Sequence, residues 1–109
     1  MSGVYEVYTD AKGEQRFRLK APNGETILAS EGYTSKDACM NGINSVKENS
    51  ALDERYESYE DAAGTHRFRL KAANNQIIGV GEAYESKASL KSGIESVKRW
   101  ASAAKVKEL

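Results

Sequence analysis

The sequence predicts an α+β domain made of two tandem strand-strand-strand-helix copies that form one antiparallel sheet backed by two helices. The hexapeptide Arg-Phe-Arg-Leu-Lys-Ala occupies residues 16–21 and returns unchanged at residues 67–72. Its apolar and basic residues alternate, which is the period of a half-buried strand. Later in each copy, apolar residues recur with the period of an amphipathic helix.

The repeat covers almost the whole chain. At an offset of 51 residues, about half of the positions between Tyr5 and Asn49 are identical to their counterparts, which is a signal of duplicated structure. We assign residues from about 4 to 53 to the first repeat and from about 55 to 109 to the second. A three-stranded sheet with one helix is marginal alone, so we expect both copies to share one core in a single domain spanning residues 1–109.

The first two strands of each repeat are predicted to form a hairpin. Residues 10–14 have the composition of a three-residue loop in which Gly13 adopts a left-handed conformation. Gly64 occupies the same place in the second repeat. This loop length sets Val7 opposite Phe17, so the apolar side chains of both strands fall on one face.

The third strand is predicted to follow through a loop of the same form. This loop covers residues 21–25, with Gly24 in the left-handed position. Asn75 stands at that position in the second repeat, and asparagine is the next most tolerant residue of positive φ. The predicted register sets Leu19 opposite Ile27.

A serine N-cap is predicted to begin each helix, at Ser35 and at Ser86. Gly42 and Gly93 then fall inside the helices, where glycine costs about 1 kcal/mol relative to alanine. We expect that cost to be offset by a close approach of each helix backbone to the sheet.

The predicted core lies between the apolar faces of the strands and the helices. It comprises Tyr5, Val7, Phe17, Leu19, Ile27, Ile43, Val46, Tyr56, Phe68, Leu70, Ile78, Ile94, Val97 and Trp100. After the helices, residues 51–55 and 105–109 are each able to add one more short strand.

In both copies the hexapeptide is followed by the same motifs. An asparagine-centred turn with isoleucine spans residues 23–28 and 74–79, and Tyr-x-Ser-Lys and Gly-Ile-x-Ser-Val-Lys come next. Over essentially the whole chain these motifs resemble those of the YegP-like family of small, functionally uncharacterised bacterial proteins. The resemblance implies two strand-strand-strand-helix-strand units in one antiparallel sheet, with the C-terminal strands exchanged between repeats. It implies no activity.

Composition limits the classes of partner and compartment. Sixteen basic and sixteen acidic side chains give a formal net charge of zero, so no global field attracts nucleic acid or an anionic membrane. The N-terminal residues lack a basic flank followed by an apolar run, and the single cysteine, Cys39, cannot form an internal disulfide. We therefore expect a cytoplasmic protein without a membrane segment.

The candidate binding site is a basic ladder on the outer face of the predicted sheet, interleaved with tyrosines. Its members are Arg16, Arg18, Lys20, Arg67, Arg69, Lys71, Tyr8 and Tyr59. Cations interleaved with aromatic rings can hold phosphates and stack bases, which makes nucleic acid or another polyanion a candidate ligand. The register also sets Glu6 opposite Arg18 and Glu57 opposite Arg69, and such cross-strand pairs are ordinary sheet stabilisers. We favour this second interpretation, a solvated and ion-paired face.

No catalytic, cofactor or metal site is predicted. The single histidine, His66, takes the place of Gln15, which indicates a tolerant surface position. Cys39 takes the place of Leu90, which indicates an apolar packing role. We therefore expect a non-catalytic module of unknown function that serves a structural role or binds a partner through the edge or face of its sheet. An enzyme acting on a small molecule is the less favoured alternative.

Overall fold

The structure, a computed structural model, describes residues 2–109; Met1, where the expected domain span begins, lies outside the described residues. The elements follow one another as β1 (Val4–Thr9), β2 (Gln15–Lys20), β3 (Thr26–Ala29), α1 (Lys36–Asn49), β4 (Tyr56–Glu60), β5 (His66–Lys71), β6 (Ile77–Val80), α2 (Lys87–Trp100) and β7 (Lys105–Glu108). This order confirms the predicted α+β class and its duplication.

All seven strands lie in one sheet, in the order β4-β5-β6-β3-β2-β1-β7. Neighbouring strands are antiparallel except for β1 and β7, so the predicted antiparallel sheet is confirmed, with one parallel pair at this edge. The position at which α2 ends explains the parallel direction of β7. The Tyr5 hydroxyl donates to the carbonyl of Ala101 at 2.7 Å, which holds the end of α2 beside the beginning of β1. The strand β7 therefore starts level with Val4 and runs in the same direction as β1.

Strand exchange between the repeats occurs in one direction only. The C-terminal strand β7 pairs with β1 of the first repeat, as the resemblance implied. The corresponding segment after α1 forms no strand, because a 3₁₀ turn over Asp53–Arg55 leads directly into β4. The counterparts of β7 at the repeat offset are residues 54–57, and the last two of these already belong to β4. Strand β4 is therefore left as an edge of the sheet.

The register of the first hairpin is confirmed in both repeats, but that of the second hairpin differs from the prediction. Val7 lies opposite Phe17 as expected. Leu19 lies opposite Leu28 rather than Ile27, because a bulge shifts the pairing at the end of β2. Ile27 and Leu28 are both buried as a result, which strict alternation does not allow. The same shift occurs in β5.

The loop geometries agree with the predicted turn chemistry. In the part of the chain that the structure describes, four residues have positive φ angles, between 70° and 86°, and they are Gly13, Gly24, Gly64 and Asn75. Each loop is closed as expected of a three-residue hairpin connection, for example by the Gly13 amide donating to the Asp10 carbonyl at 3.0 Å.

The two repeats join where β3 pairs with β6. Ala29 lies opposite Val80, and these are equivalent residues, so a pseudo-two-fold axis passes between them. On the core side, Leu28 packs over Gly79, its own counterpart in the repeat. A Cβ built at Gly79 would lie 2.6 Å from the Leu28 side chain. Two leucines would compete for the same space at the axis, so the two copies differ here.

Most of the predicted core is buried, and two of the three exceptions have a common cause. Buried as expected are Tyr5, Val7, Phe17, Leu19, Ile27, Ile43, Val46, Phe68, Leu70, Ile78 and Val97. Tyr56, Ile94 and Trp100 are only partly buried. The first two of these line the open β4 edge, which β7 does not cover. Leu28, Ala101 and Ala104 were not predicted, because a bulge and a helix end bring them inside.

Both helices begin at the predicted serine caps. The expected close approach at the helical glycines involves a tyrosine ring rather than the sheet backbone. The Tyr33 ring lies against Gly42, and the Tyr84 ring lies against Gly93. Within residues 2–109, neither helix is long and apolar enough to cross a membrane.

We predict that a fragment ending at Ala51 will not fold as a monomer. In the whole chain α1 contacts β5 and β6 of the second repeat, and β1 needs the end of α2 and β7 at its edge. The fragment should therefore lack a cooperative unfolding transition in circular dichroism, whereas the full chain shows one. A cooperative melt of the fragment that does not depend on concentration would contradict the single-domain prediction.

We also predict that Gly79→Ala destabilises the protein by about 1–3 kcal/mol, because the new methyl group has no space beside Leu28. In a Leu28→Ala background the same substitution should cost much less. Urea unfolding of the four proteins of this double-mutant cycle measures the coupling. Equal costs of Gly79→Ala in the two backgrounds would show that the contact does not constrain the junction.

Candidate functional site

The eight predicted site residues lie on the sheet face opposite the helices, in two clusters. The first cluster is Arg16, Arg18, Lys20 and Tyr8, and the second cluster is Arg67, Arg69, Lys71 and Tyr59. The cations of the two clusters are carried by β2 and β5, which are separated by β3 and β6. Because neighbouring strands are about 4.8 Å apart, β2 and β5 are about 14 Å apart. The basic ladder is therefore two separate groups related by the pseudo-two-fold axis.

One row of directly opposed residues crosses the whole outer face. In spatial order from β4 to β7 it contains Glu57, Arg69, Val80, Ala29, Arg18, Glu6 and Lys107. Two uncharged residues stand at the centre, an arginine flanks them on each side, and a glutamate follows each arginine. Charges of opposite sign are thus neighbours on both sides, which is the pattern of a self-neutralising surface.

In the first cluster, one carboxylate binds two cations. The Glu6 carboxylate accepts from Nε of Arg18 at 2.7 Å and lies 3.3 Å from Nζ of Lys20. The Arg18 guanidinium also lies 4.6 Å from the ring centroid of Tyr8. Tyr8 is directly opposite Arg16, so the stacked arginine is the diagonal neighbour. Arg18 is therefore already engaged on two sides.

The second cluster repeats this arrangement in a more open form. The Glu57 carboxylate lies 3.1 Å from Nε of Arg69 and 3.1 Å from Nζ of Lys71. The Arg69 guanidinium lies 4.2 Å from the ring centroid of Tyr59. The Glu57 side chain is 47 % exposed, against 14 % for Glu6. The difference follows from the sheet order, since β7 covers the edge beside Glu6 and no strand of the described residues 2–109 covers the edge beside Glu57.

The remaining arginine of each cluster pairs with a turn aspartate. In the first repeat, Asp10 accepts from Nε of Arg16 at 2.7 Å and from the amides of Lys12 and Glu14 at 2.9 Å each. The Arg16 hydrogen bond and the Glu14 amide hold the pKa of Asp10 below its ordinary value. In the second repeat the contact between Arg67 and Asp61 is looser, at 3.9 Å.

Hydrogen bonding and burial each favour one protonation state of several ionisable groups. The hydrogen bond from Arg18 lowers the pKa of Glu6, so this carboxylate is firmly ionised. Burial raises the pKa of Tyr5, Tyr56 and Cys39, which keeps these groups neutral. Among residues 2–109 no group of three or more histidine, cysteine, aspartate or glutamate side chains is arranged to hold a metal ion.

The sequence predicted a sheet edge as a place for a partner but did not identify β4 as that edge. A groove of about 310 Å³ runs between this edge and α2, and Tyr56, Ser58, Leu90 and Ile94 are among its lining residues. One signal for it was present in the repeat. Ser58 stands where the first repeat has Val7, and Val7 is 2 % exposed beneath the covered edge. A polar residue in one repeat, at a position that is buried in the other repeat, indicates that the two positions have different surroundings.

We predict a measurable share of acid stability from Glu6. A carboxylate with a lowered pKa in the folded state stabilises the fold above its unfolded pKa, and this contribution is lost as pH falls through the folded pKa. The free energy of unfolding should therefore fall between about pH 5 and pH 3, and less steeply in Glu6→Gln. Glu57→Gln is the matched control and should change the slope less, because solvent screens this more exposed carboxylate. Equal slopes in all three proteins, measured by urea unfolding, would contradict the prediction.

We predict no binding of single-stranded RNA or DNA at low salt with tens of micromolar protein, because the cations of both clusters are paired with carboxylates. An electrophoretic titration measures this. A shift that weakens with salt and disappears in an Arg18→Gln, Arg69→Gln double variant would instead establish the ladder as a polyanion site.

Comparisons with known proteins agree with the duplicated fold. A family model described as a domain of unknown function, DUF1508, matches residues 10–57 and again residues 61–108. A UPF0339 protein encoded in the ptx operon 5' region of Stutzerimonas stutzeri is 53% identical over 100% of this chain and 98% of that relative. The UPF0339 protein YegP of Escherichia coli K12 is 49% identical over 90% of this chain and 89% of that relative.

Two solution NMR structures have the same fold. That of the E. coli yegP protein, described as a protein of unknown function, superposes with a TM-score of 0.94 at 46% identity, over 99% of this chain and 93% of that one. That of a UPF0339 protein from Shewanella oneidensis gives a TM-score of 0.93 at 44% identity, over 100% of this chain and 92% of that one. These relatives are uncharacterised, and nothing in them indicates catalysis. The chain belongs to the DUF1508 family, the family of the YegP-like UPF0339 proteins, and is built of two copies of its domain.

Proposed function

We propose that the protein is a non-catalytic, cytoplasmic module that binds another protein through the open edge of its sheet, strand β4. One observation carries this proposal: the two ends of the sheet differ. Strand β1 has β7 on its outer side, whereas its counterpart β4 pairs only with β5 and has no strand of residues 2–109 on its other side. An uncovered edge strand offers main-chain donors and acceptors to an incoming strand.

The backbone groups that would receive a partner can be identified from the hydrogen bonds. The carbonyl of Phe68 accepts from the amide of Gly81 at 2.9 Å, so the backbone groups of Phe68 point towards β6. Ser58 lies opposite Phe68. Because backbone direction alternates in antiparallel pairs, the amide and carbonyl of Ser58 point away from β5, to the open side.

The proposal of a non-catalytic role rests on how the carboxylates are used. Glu6 and Glu57 each bind two cations. The repeated pair Glu31 and Glu82 follows β3 and β6, and these strands are antiparallel. Glu31 and Glu82 therefore lie towards opposite ends of the central strands. A division of acid and base roles needs two carboxylates at one reacting centre, and this arrangement does not provide it.

Binding of a polyanion to the outer face is supported less well. Six cations share four carboxylates, and the surplus positive charge is divided between two clusters about 14 Å apart. The two tyrosines that would stack on bases are already covered by Arg18 and Arg69. A nucleic acid would have to displace these internal partners before it gained contacts of its own.

The proposal is tested by cross-linking mass spectrometry on a tagged full chain in cells. Ser58→Pro removes an outward amide from β4 without removing a hydrogen bond to β5, so it should abolish capture of the partner. Ala73→Pro is the matched control, since the equivalent turn position in the first repeat is already proline, Pro22. We expect a reproducible partner with the wild type and Ala73→Pro, but not with Ser58→Pro. If no partner recurs, or if Ser58→Pro retains it, the proposal is wrong.

A further inference from the structure

We propose, building on the function proposed above, that β4 receives an extended segment of another protein that runs parallel to it. This segment places an apolar side chain opposite Tyr56 and a basic side chain opposite Glu57. The inference comes from the internal symmetry of the fold, because the equivalent place beside β1 is occupied and its occupant can be described.

The occupant beside β1 is β7, and its contacts define the chemistry of the site. Val106 lies opposite Tyr5 and packs against the core, and Lys107 lies opposite Glu6. The amide of Leu109 donates to the carbonyl of Val7 at 2.9 Å. The strand is thus held by main-chain hydrogen bonds and one apolar contact, and its register sets a lysine opposite the Glu6 carboxylate.

A further contact ties the end of β7 to the first helix. The carboxylate of Glu108 lies 2.9 Å from Nζ of Lys36, the first residue of α1. Its counterpart Lys87, the first residue of α2, lines the groove beside β4. An acidic residue that follows the basic one in the bound segment would therefore meet a lysine here also.

The site beside β4 keeps two of the four residues that face β7, while Arg55 and Ser58 stand in place of Val4 and Val7. Tyr56 and Glu57 are the counterparts of Tyr5 and Glu6. Leu90 and Ile94 of α2 provide an apolar wall, and Ile94 is only partly buried. Glu57 is 47 % exposed and accessible to a second cationic partner. An apolar side chain opposite Tyr56 would complete the burial that Val106 provides in the first repeat.

Neither β4 nor β7 of a second copy is the expected occupant. Two β4 edges paired with each other would bring exposed Glu57 and Glu60 of both copies together, and like charges across a strand pair are destabilising. A β7 that left β1 of a second copy would uncover that β1, so the number of covered edges would not increase, and a β7 that stays on β1 has its Val106 already packed against its own core. A segment from a different protein adds a strand without removing one.

The test uses a fluorescently labelled peptide that copies residues 102–109, titrated into the full chain and followed by anisotropy. We expect saturable binding to the wild type and to Ala73→Pro, and none to Ser58→Pro. Replacing Val106 with Glu in the peptide should weaken binding at least about tenfold, because the apolar anchor is lost. Circular dichroism melts of each protein variant confirm that it is folded.

A charge exchange tests the predicted register. Glu57→Lys in the protein should weaken binding of the original peptide at least about tenfold, and a peptide with Lys107→Glu should recover it. A photoreactive group at the N-terminus of the peptide should cross-link near Asp53–Arg55 rather than near Glu60, because the strands are parallel. Cross-linking near Glu60 would overturn the predicted direction.

The outcomes separate this inference from the proposed function. If no peptide binds at millimolar concentration while cellular capture still depends on Ser58, the edge binds proteins but the β7-like pattern is wrong. If the peptide binds Ser58→Pro as tightly as the wild type, it does not bind at β4, and the inference is also wrong. Saturable binding that Ser58→Pro abolishes and the charge exchange restores would establish the site.

Discussion

The structure depends on the contact between Leu28 and Gly79 at the junction of the repeats. Two copies of one unit can share a sheet only if their central strands approach each other closely. At the pseudo-two-fold axis, a residue of one repeat lies against its own counterpart in the other repeat. The chain resolves this by placing a leucine in one copy and a glycine in the other. The leucine side chain of the first repeat then fills the space at the axis, and the cores of the two repeats become continuous.

The sequence was sufficient to predict the elements, the loops and the first hairpins. Each of these is set by neighbouring residues: alternation in the hexapeptide, left-handed glycine at Gly13, a serine cap at Ser35. The bulge that buries both Ile27 and Leu28 was missed, because alternation alone assumes a regular ladder. The one-way strand exchange was also missed, since it follows from the length of chain between α1 and β4 and not from the character of any residue.

The charge pairs of the outer face could be predicted in the same way, because a hairpin register assigns each glutamate its arginine. The arginine that stacks on each tyrosine ring could not be predicted from the register. Arginine is long enough to reach a diagonal neighbour, and whether it does so depends on the other groups that compete for it. The unequal exposure of Glu6 and Glu57 depends on a strand almost a full chain length away, so no local pattern contains it.

The pairing of β1 with β7 has a consequence for how the molecule acquires its shape. Val4 and Lys105 are about a hundred positions apart, so this contact carries one of the largest loop-closure costs in the fold. We expect the pairing of β1 with β7 to form last, after the nascent chain has been completed, whereas β1 and β2 pair through a local hairpin. Until then β1, like β4, has one side without a partner strand, and pulsed hydrogen exchange during refolding should detect late protection at Tyr5 and Val7.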